Sequence, residues 1–289
     1  MTLFPRQLFV LCIALLASVC ATVQPFAQNI APTVAPTPAP TSVPTGAVWL
    51  MGEVHDNPDA HRARFQLIEA RVKAGWRPAI AMEQFDREHQ GLLRTAQDQC
   101  GTAECITSQP WVESWEWPLY APLIQLALDY KLPLLAVNVS RKDANRIVQG
   151  GYSAALDPDT IAHYKLDQPL PEPLARQHRQ NIVEGHCNML PSSVADKMVP
   201  AQVARDVWMA QVIEQQASQT DVILIAGNGH VQKDVGVLHW LPVTLQQRTT
   251  VHGFLEHEPG KTTSNFDVVH SVPRFAREDP CEAFKAMKK

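Results

Sequence analysis

The chain has no surplus of positive charge and no basic run: 25 Lys and Arg stand against 29 Asp and Glu, a formal net charge of −4 over 289 residues. That removes the electrostatic footprint of a nucleic-acid binder and the polybasic patch of a protein held on acidic lipid. No Cys-x-x-Cys spacing occurs among the six cysteines, so neither a zinc knuckle nor a thioredoxin-type site has support. The helix-borne His-Glu-x-x-His of common zinc proteases is missing as well. The apolar run from Leu8 to Leu16, behind Arg6, is too short to span a bilayer and has the length of a signal-peptide core.

Residues 1–27 therefore read as a signal peptide, and the protein as exported to the periplasm. Cleavage fits after Ala21 or after Ala27, and Cys20, behind Leu16-Ala17-Ser18-Val19, opens a third route, lipid attachment. Residues 28–46 are rich in Pro, Ala, Thr and Val, which favours extended polyproline conformations and makes a linker rather than a core. Past the leader, Cys100, Cys105, Cys187 and Cys281 remain, an even number in a compartment that permits disulfides. Cys100 and Cys105 enclose a four-residue polar loop that can bring them together, which leaves Cys187 for Cys281. Buried free thiols are the competing reading.

From residue 47 onward short apolar runs alternate with amphipathic segments. Strands are expected at Ala47–Met51, Ala79–Met82, Leu134–Val139, Val222–Ala226, Thr249–Leu255 and Phe266–Val269. Between the first two, apolar positions recur at helical spacing from Asp59, which is expected to cap that helix, to the stop at Gly75. Strand, helix, strand in that order argues for right-handed crossovers, hence an α/β domain over 47–289 with a mainly parallel sheet flanked by helices. No strand pattern appears between about residues 152 and 220, which reads as a helical insertion.

Four strand ends carry polar groups: Glu53, His55 and Asp56; Glu83; Asn138; and Gly227-Asn228-Gly229-His230. In a parallel sheet these gather at the carboxyl edge, where α/β proteins build their sites. Glu53, His55, Glu83, Asn138, Asn228 and His230 are thus the cleft or metal candidates. Imidazoles beside carboxylates suit a divalent metal that activates water, the chemistry of a metal-dependent hydrolase. A purely structural role, each acid bonded to neighbouring amides, is the bland alternative.

Several of these stretches together resemble the ChaN family: Gly52 to His61, Ala81 to Phe85, Trp115 to Tyr120, His186-Cys187, Met198 to Gln202 with Arg205-Asp206, and Ala226 to Val231 with Asp234 to Val237. Val54 departs from the polar residue, such as Gln, expected there. The family comprises exported, often lipid-anchored haem-binding proteins of bacterial iron uptake, more distantly related to Tiki-type metalloproteases and erythromycin esterase-like hydrolases. The resemblance implies an α/β core with a helical subdomain and haem held in pairs at a homodimer interface, serving uptake or storage with outer-membrane machinery. If the chain is an enzyme, the expectation is a metal-dependent hydrolase. Haem needs an axial donor and an apolar slot, and the candidates for contact are Tyr152, Tyr164, His186, Met198 and Arg205.

Overall fold

The computed structural model describes residues 46–111, 115–257, 264–279 and 281–282. The leader, Cys20 and the linker up to residue 45 lie outside the described residues.

Six apolar runs become the strands β1 (Val48–Glu53), β2 (Ala79–Asp86), β3 (Leu134–Asn138), β4 (Val222–Gly227), β5 (Thr249–Glu256) and β6 (Val268–Val272). They form one sheet in the order β3-β2-β4-β1-β5-β6, and every neighbouring pair is parallel. β1 and β4 are buried throughout, as strands covered on both faces must be. Their register pairs Val48 with Val222 and Glu53 with Gly227, so their carboxyl ends are level.

The order of strands dictates where the helices go. From β1 to β3 the chain moves one way along the sheet, then from β3 through β6 it returns the other way. Right-handed crossovers therefore place the helices of the two legs on opposite faces. The first leg's helices are α1 (Pro58–Lys73), α2 (Gln90–Gln99), α3 (Ala103–Thr107) and α4 (Trp117–Asp129). They pack with Trp49, Met51, Ile80, Met82 and Ile223. The second leg begins with α5 (Arg141–Gly150), α6 (Pro158–His163), α7 (Glu172–Gly185) and α8 (Ser192–Ala217). After β4 it continues with the short α9 (Asn228–Val231), α10 (Val237–Trp240) and α11 (Val243–Gln246). This leg covers Val48, Leu50, Ala81, Val137 and Leu224. α8 runs across that face and buries Val203, Val207, Ala210 and Ile213 against it. Because β4 lies between β1 and β2 but sends its connection to the other face, their carboxyl ends meet at the switch point where sheets of this kind place a crevice.

Three local expectations are corrected. β2 continues through Glu83 to Asp86, so Glu83 lies within a strand rather than at its end. Asn57, not Asp59, caps α1: its side-chain oxygen accepts from the amides of Asp59 (2.9 Å) and Ala60 (3.1 Å). With Pro58 at the first helical position, the Asp59 amide is itself one of the donors that need a cap. The last strand begins at Val268 rather than Phe266, whose ring packs under Gly253 where a Cβ would stand 2.7 Å from it.

The outer edge of β3 is closed by side chains rather than by another strand. Gln97 accepts from the Leu134 amide (2.9 Å) and donates to the Leu132 carbonyl (3.0 Å). Gln90 accepts from the Ala136 amide (2.7 Å) and donates to the Leu134 carbonyl (3.3 Å). Two carboxamides about two helical turns apart on α2 thus imitate a neighbouring strand and block edge pairing. Both expected disulfides form, Cys100–Cys105 and Cys187–Cys281, each with Cα atoms 5.5 Å apart. Among the described residues no helix is long and apolar enough to cross a membrane.

Candidate functional site

β1 delivers Glu53 to the floor of the crevice, 2% exposed. A bare carboxylate there would be costly, and the surroundings compensate it fully. Arg64, itself buried on α1, forms an ion pair with one oxygen. The other accepts from the Tyr120 hydroxyl (2.5 Å), His55 Nδ1 (2.8 Å) and Gln84 Nε2 (3.1 Å). Burial alone would favour the protonated acid, but the Arg64 charge and the hydrogen bond from His55 win, and Glu53 titrates well below the usual carboxylate range. His61 completes this network. Its Nε2 donates to the His55 carbonyl (2.9 Å), so its Nδ1 accepts from Arg64 (3.0 Å), a neutral tautomer consistent with a pKa that burial and the Arg64 charge lower to about 4.

A second buried network lies beside the first. Glu83 accepts from the Gly227 amide (2.8 Å) and faces His230 Nε2 at 3.4 Å. His230 in turn donates through Nδ1 to Asp206 of α8 at 2.6 Å. Burial works against charge on His230 and Glu83, yet the two neighbouring carboxylates raise the pKa of the imidazole to about 10, while Glu83 falls to about 2. His230 is therefore an imidazolium fixed between two acids rather than a lone pair offered to a ligand.

His55 stands between the networks with 46% of its side chain exposed. Its ring lies over Gly227, where a Cβ would come within 2.9 Å of Nε2 and 3.8 Å of a Glu83 oxygen. Partial burial opposes its charge, but the Glu53 hydrogen bond and the Glu83 charge outweigh it and raise its pKa. Edge-on contact with Trp115, 5.0 Å between centroids, fixes one side of the ring. Among the described residues the crevice thus presents one accessible imidazole, His55, over a floor of acids already satisfied by donors.

Asn138 and Asn228 occupy other parts of the same edge. Asn138 donates to Asp86 (2.8 Å) across β3 and β2, and Asn228 donates to the Phe254 carbonyl (2.8 Å), latching β4's end to β5. The remaining oxygen of each is buried and unpartnered. Gly52 is required beneath Asn228, since a Cβ there would stand 2.2 Å from its oxygen. Asp86 is raised by burial despite the Asn138 hydrogen bond.

The haem-contact candidates disperse. Tyr152 lies between α5 and α6 with a buried, unpartnered hydroxyl that burial makes harder to ionise. Nearby, Arg87 donates to the Ala155 carbonyl and to Asp143 (2.6 Å each) and lies 4.7 Å over the Trp208 ring, whose indole nitrogen also lacks a partner. Arg205, one turn before Trp208, makes only long hydrogen bonds, 3.3 Å to the Val139 carbonyl and 3.4 Å to Gln202. Tyr164 instead donates to Glu214 (3.3 Å) and lines a cleft of about 320 Å³ with Asp159, His163 and Gln211. His186 ends α7 with Nδ1 on the Ile182 carbonyl (2.7 Å), and Met198 lies in the first half of α8.

Among the described residues no three His, Cys, Asp or Glu groups are placed to hold a metal ion. Glu53 and Glu83 are taken up by donors of the protein itself, and His230 lies between two carboxylates. Sequence reasoning did not place Arg64, Tyr120, Gln84 and Asp206 in the site. Arg64 carried a signal, since with Ala60, Ile68 and Val72 it lies on the apolar face of α1.

The family model for haem-binding uptake, Tiki superfamily, ChaN, matches residues 42–241. Among solved structures, ChaN of Campylobacter jejuni, which binds haem cofacially, is similar at 20% identity and a TM-score of 0.61, covering 78% of this chain and 87% of its own. An erythromycin esterase mutant, EreC, in its open conformation is 15% identical, with a TM-score of 0.44 and coverage of 83% and 79%. The type III effector HopBA1 is 12% identical at a TM-score of 0.44, covering 78% and 88%. Comparison with curated proteins gives no match.

Proposed function

The chain belongs to the ChaN family of haem-binding uptake proteins in the Tiki superfamily, and from that premise we propose that its carboxyl-edge crevice binds haem for uptake or storage. The family match across residues 42–241 carries this reading. Of the dispersed haem-contact candidates, Tyr152 and Arg205 carry groups suited to haem. Tyr152 offers an oxygen without a partner, Trp208 an indole nitrogen without one, and Arg205 and His55 offer positive charge for two propionates. When bound, haem supplies the iron centre and its ligand chemistry. The chain's part is to hold the ring and meet its carboxylates, with Glu53 and Glu83 raising the pKa of His55. The same reading puts the protein in the periplasm as a homodimer, with Cys20 as a lipid anchor and outer-membrane uptake machinery as its source of haem.

Haemin titration of the mature protein tests it. A shifted Soret band that saturates at a fixed stoichiometry, in oxidised and reduced states, is expected. Unsaturable binding with no shift in either state disposes of the proposal.

A further inference from the structure

The C-terminal segment after β6 does not return to the core. Residues 273–279 follow the same carboxyl edge that holds the crevice. Asn57 donates to the Pro273 carbonyl (2.9 Å), and the Phe275 amide donates to Glu256 at the end of β5 (3.1 Å). Arg277 pairs with Glu256 and with Asp56, the residue after His55, at 2.6 Å. Cys281 is then bonded to Cys187, beyond the end of α7 on the opposite side of β4 in sequence. One segment thus links the β5 and β6 ends, the His55 loop and the helical layer that supplies Asp206.

Without the disulfide little holds this segment. Pro273, Arg274, Phe275, Ala276, Glu278 and Asp279 are all exposed, so it buries almost no apolar surface. Ordering seven backbone residues costs more conformational free energy than a few part-exposed ion pairs return. Cys187 and Asn188, with left-handed φ values of 61° and 57°, close the end of α7, where the Asn188 amide donates to the Val183 carbonyl (2.9 Å). Both cysteines are only partly buried, within reach of a reductant. Cys100–Cys105, by contrast, closes a separation of five residues and links no distant elements.

We propose that Cys187–Cys281 is a redox clasp that keeps residues 273–279 strapped beside His55, and that a dithiol reductant releases the strap and loosens ligand retention in the crevice. A thiolate of the dithiol attacks one sulfur, the Cys187–Cys281 bond breaks, and a mixed disulfide forms. The second thiolate displaces the protein sulfur, so the dithiol leaves as a disulfide, oxidised by two electrons. Cys187 and Cys281 become thiols with the two protons it gave up. The second half of the proposal rests on the crevice being the ligand site.

The test uses the mature chain carrying Cys100→Ser and Cys105→Ser, so that only the clasp can be reduced. Tryptic cleavage after Arg274 and Arg277 is followed by mass spectrometry with and without dithiothreitol. Cleavage at these two positions is expected to rise at least ~10-fold on reduction while the rest of the chain stays resistant. Adding Cys187→Ser and Cys281→Ser should reproduce this without reductant. Unchanged cleavage overturns the clasp, and so does cleavage that accelerates throughout the chain, which would mark a global staple. On the haemin-loaded protein, transfer to apomyoglobin should quicken on reduction; an unchanged rate overturns the link to retention. A strap that opens in a protein that never takes up haemin leaves the clasp standing and removes the haem reading instead.

Discussion

His230 donates to Asp206 across 2.6 Å, joining the end of β4 to the middle of α8 by a buried charged hydrogen bond. That bond lets an imidazole 7% exposed remain protonated, and through it Glu83 remains an anion under His55.

Asp206→Asn should lower stability by about 3 kcal/mol at pH 7, the usual cost of breaking a buried pair from one side. The pH dependence checks the cause. His230 is raised from 6.5 to about 10, so its stabilising effect is complete below 6.5 and is lost as pH rises toward 10. Urea midpoints for the native protein should fall over that window, and those of the variant should fall less.

Arg64→Met should cost about 3–5 kcal/mol at neutral pH by leaving Glu53 buried and uncompensated. The folded pKa of Glu53 is depressed, so its contribution is present above 4.5 and lost as pH falls through the folded value. The deficit of the variant should therefore shrink in urea titrations below pH 4.5 as its Glu53 takes a proton. A constant deficit would mean that Arg64 acts by packing alone.

Gly52→Ala should destabilise by about 1–3 kcal/mol, as overpacking does, because its Cβ meets Asn228 and Val231. Gly227→Ala meets only the tip of the His55 ring and should cost less, yet displace that ring. Thermal melts and imidazole NMR shifts separate the two outcomes.

Gln97→Ala should cost about 1–3 kcal/mol, since it leaves edge amide and carbonyl groups of β3 without their partner. Chemical denaturation reads the loss, and light scattering should show more self-association through the uncovered edge.

Tyr152→Phe should stabilise the ligand-free protein by about 1 kcal/mol, because it removes a buried hydroxyl that has no partner. The same change should alter or abolish the Soret band on haemin titration. A spectrum identical to that of the native protein would exclude Tyr152 as the iron ligand.

How much could be read beforehand follows from distance along the chain. β1 and β4 were visible because apolar runs that end in Gly-Glu or Ala-Gly are local patterns, and parallel pairing then aligned Glu53 with Gly227. The networks were harder, since Tyr120 lies 67 residues from Glu53 and its hydroxyl looks like that of any aromatic on an apolar helix. Asp206 was visible only as half of an Arg-Asp pair, and it turned away from Arg205 to His230.

The sequence by itself determined the α/β class, the parallel sheet and the family, and it put Glu53 and Gly227 at level strand ends, because burial patterns and turn residues act over a few neighbours. Only the tertiary structure decided what the acids and imidazoles there can do. Charge in a low-dielectric interior is set by whatever sits within a few ångströms, and Arg64, Tyr120 and Asp206 satisfy the groups that sequence alone offered to a metal.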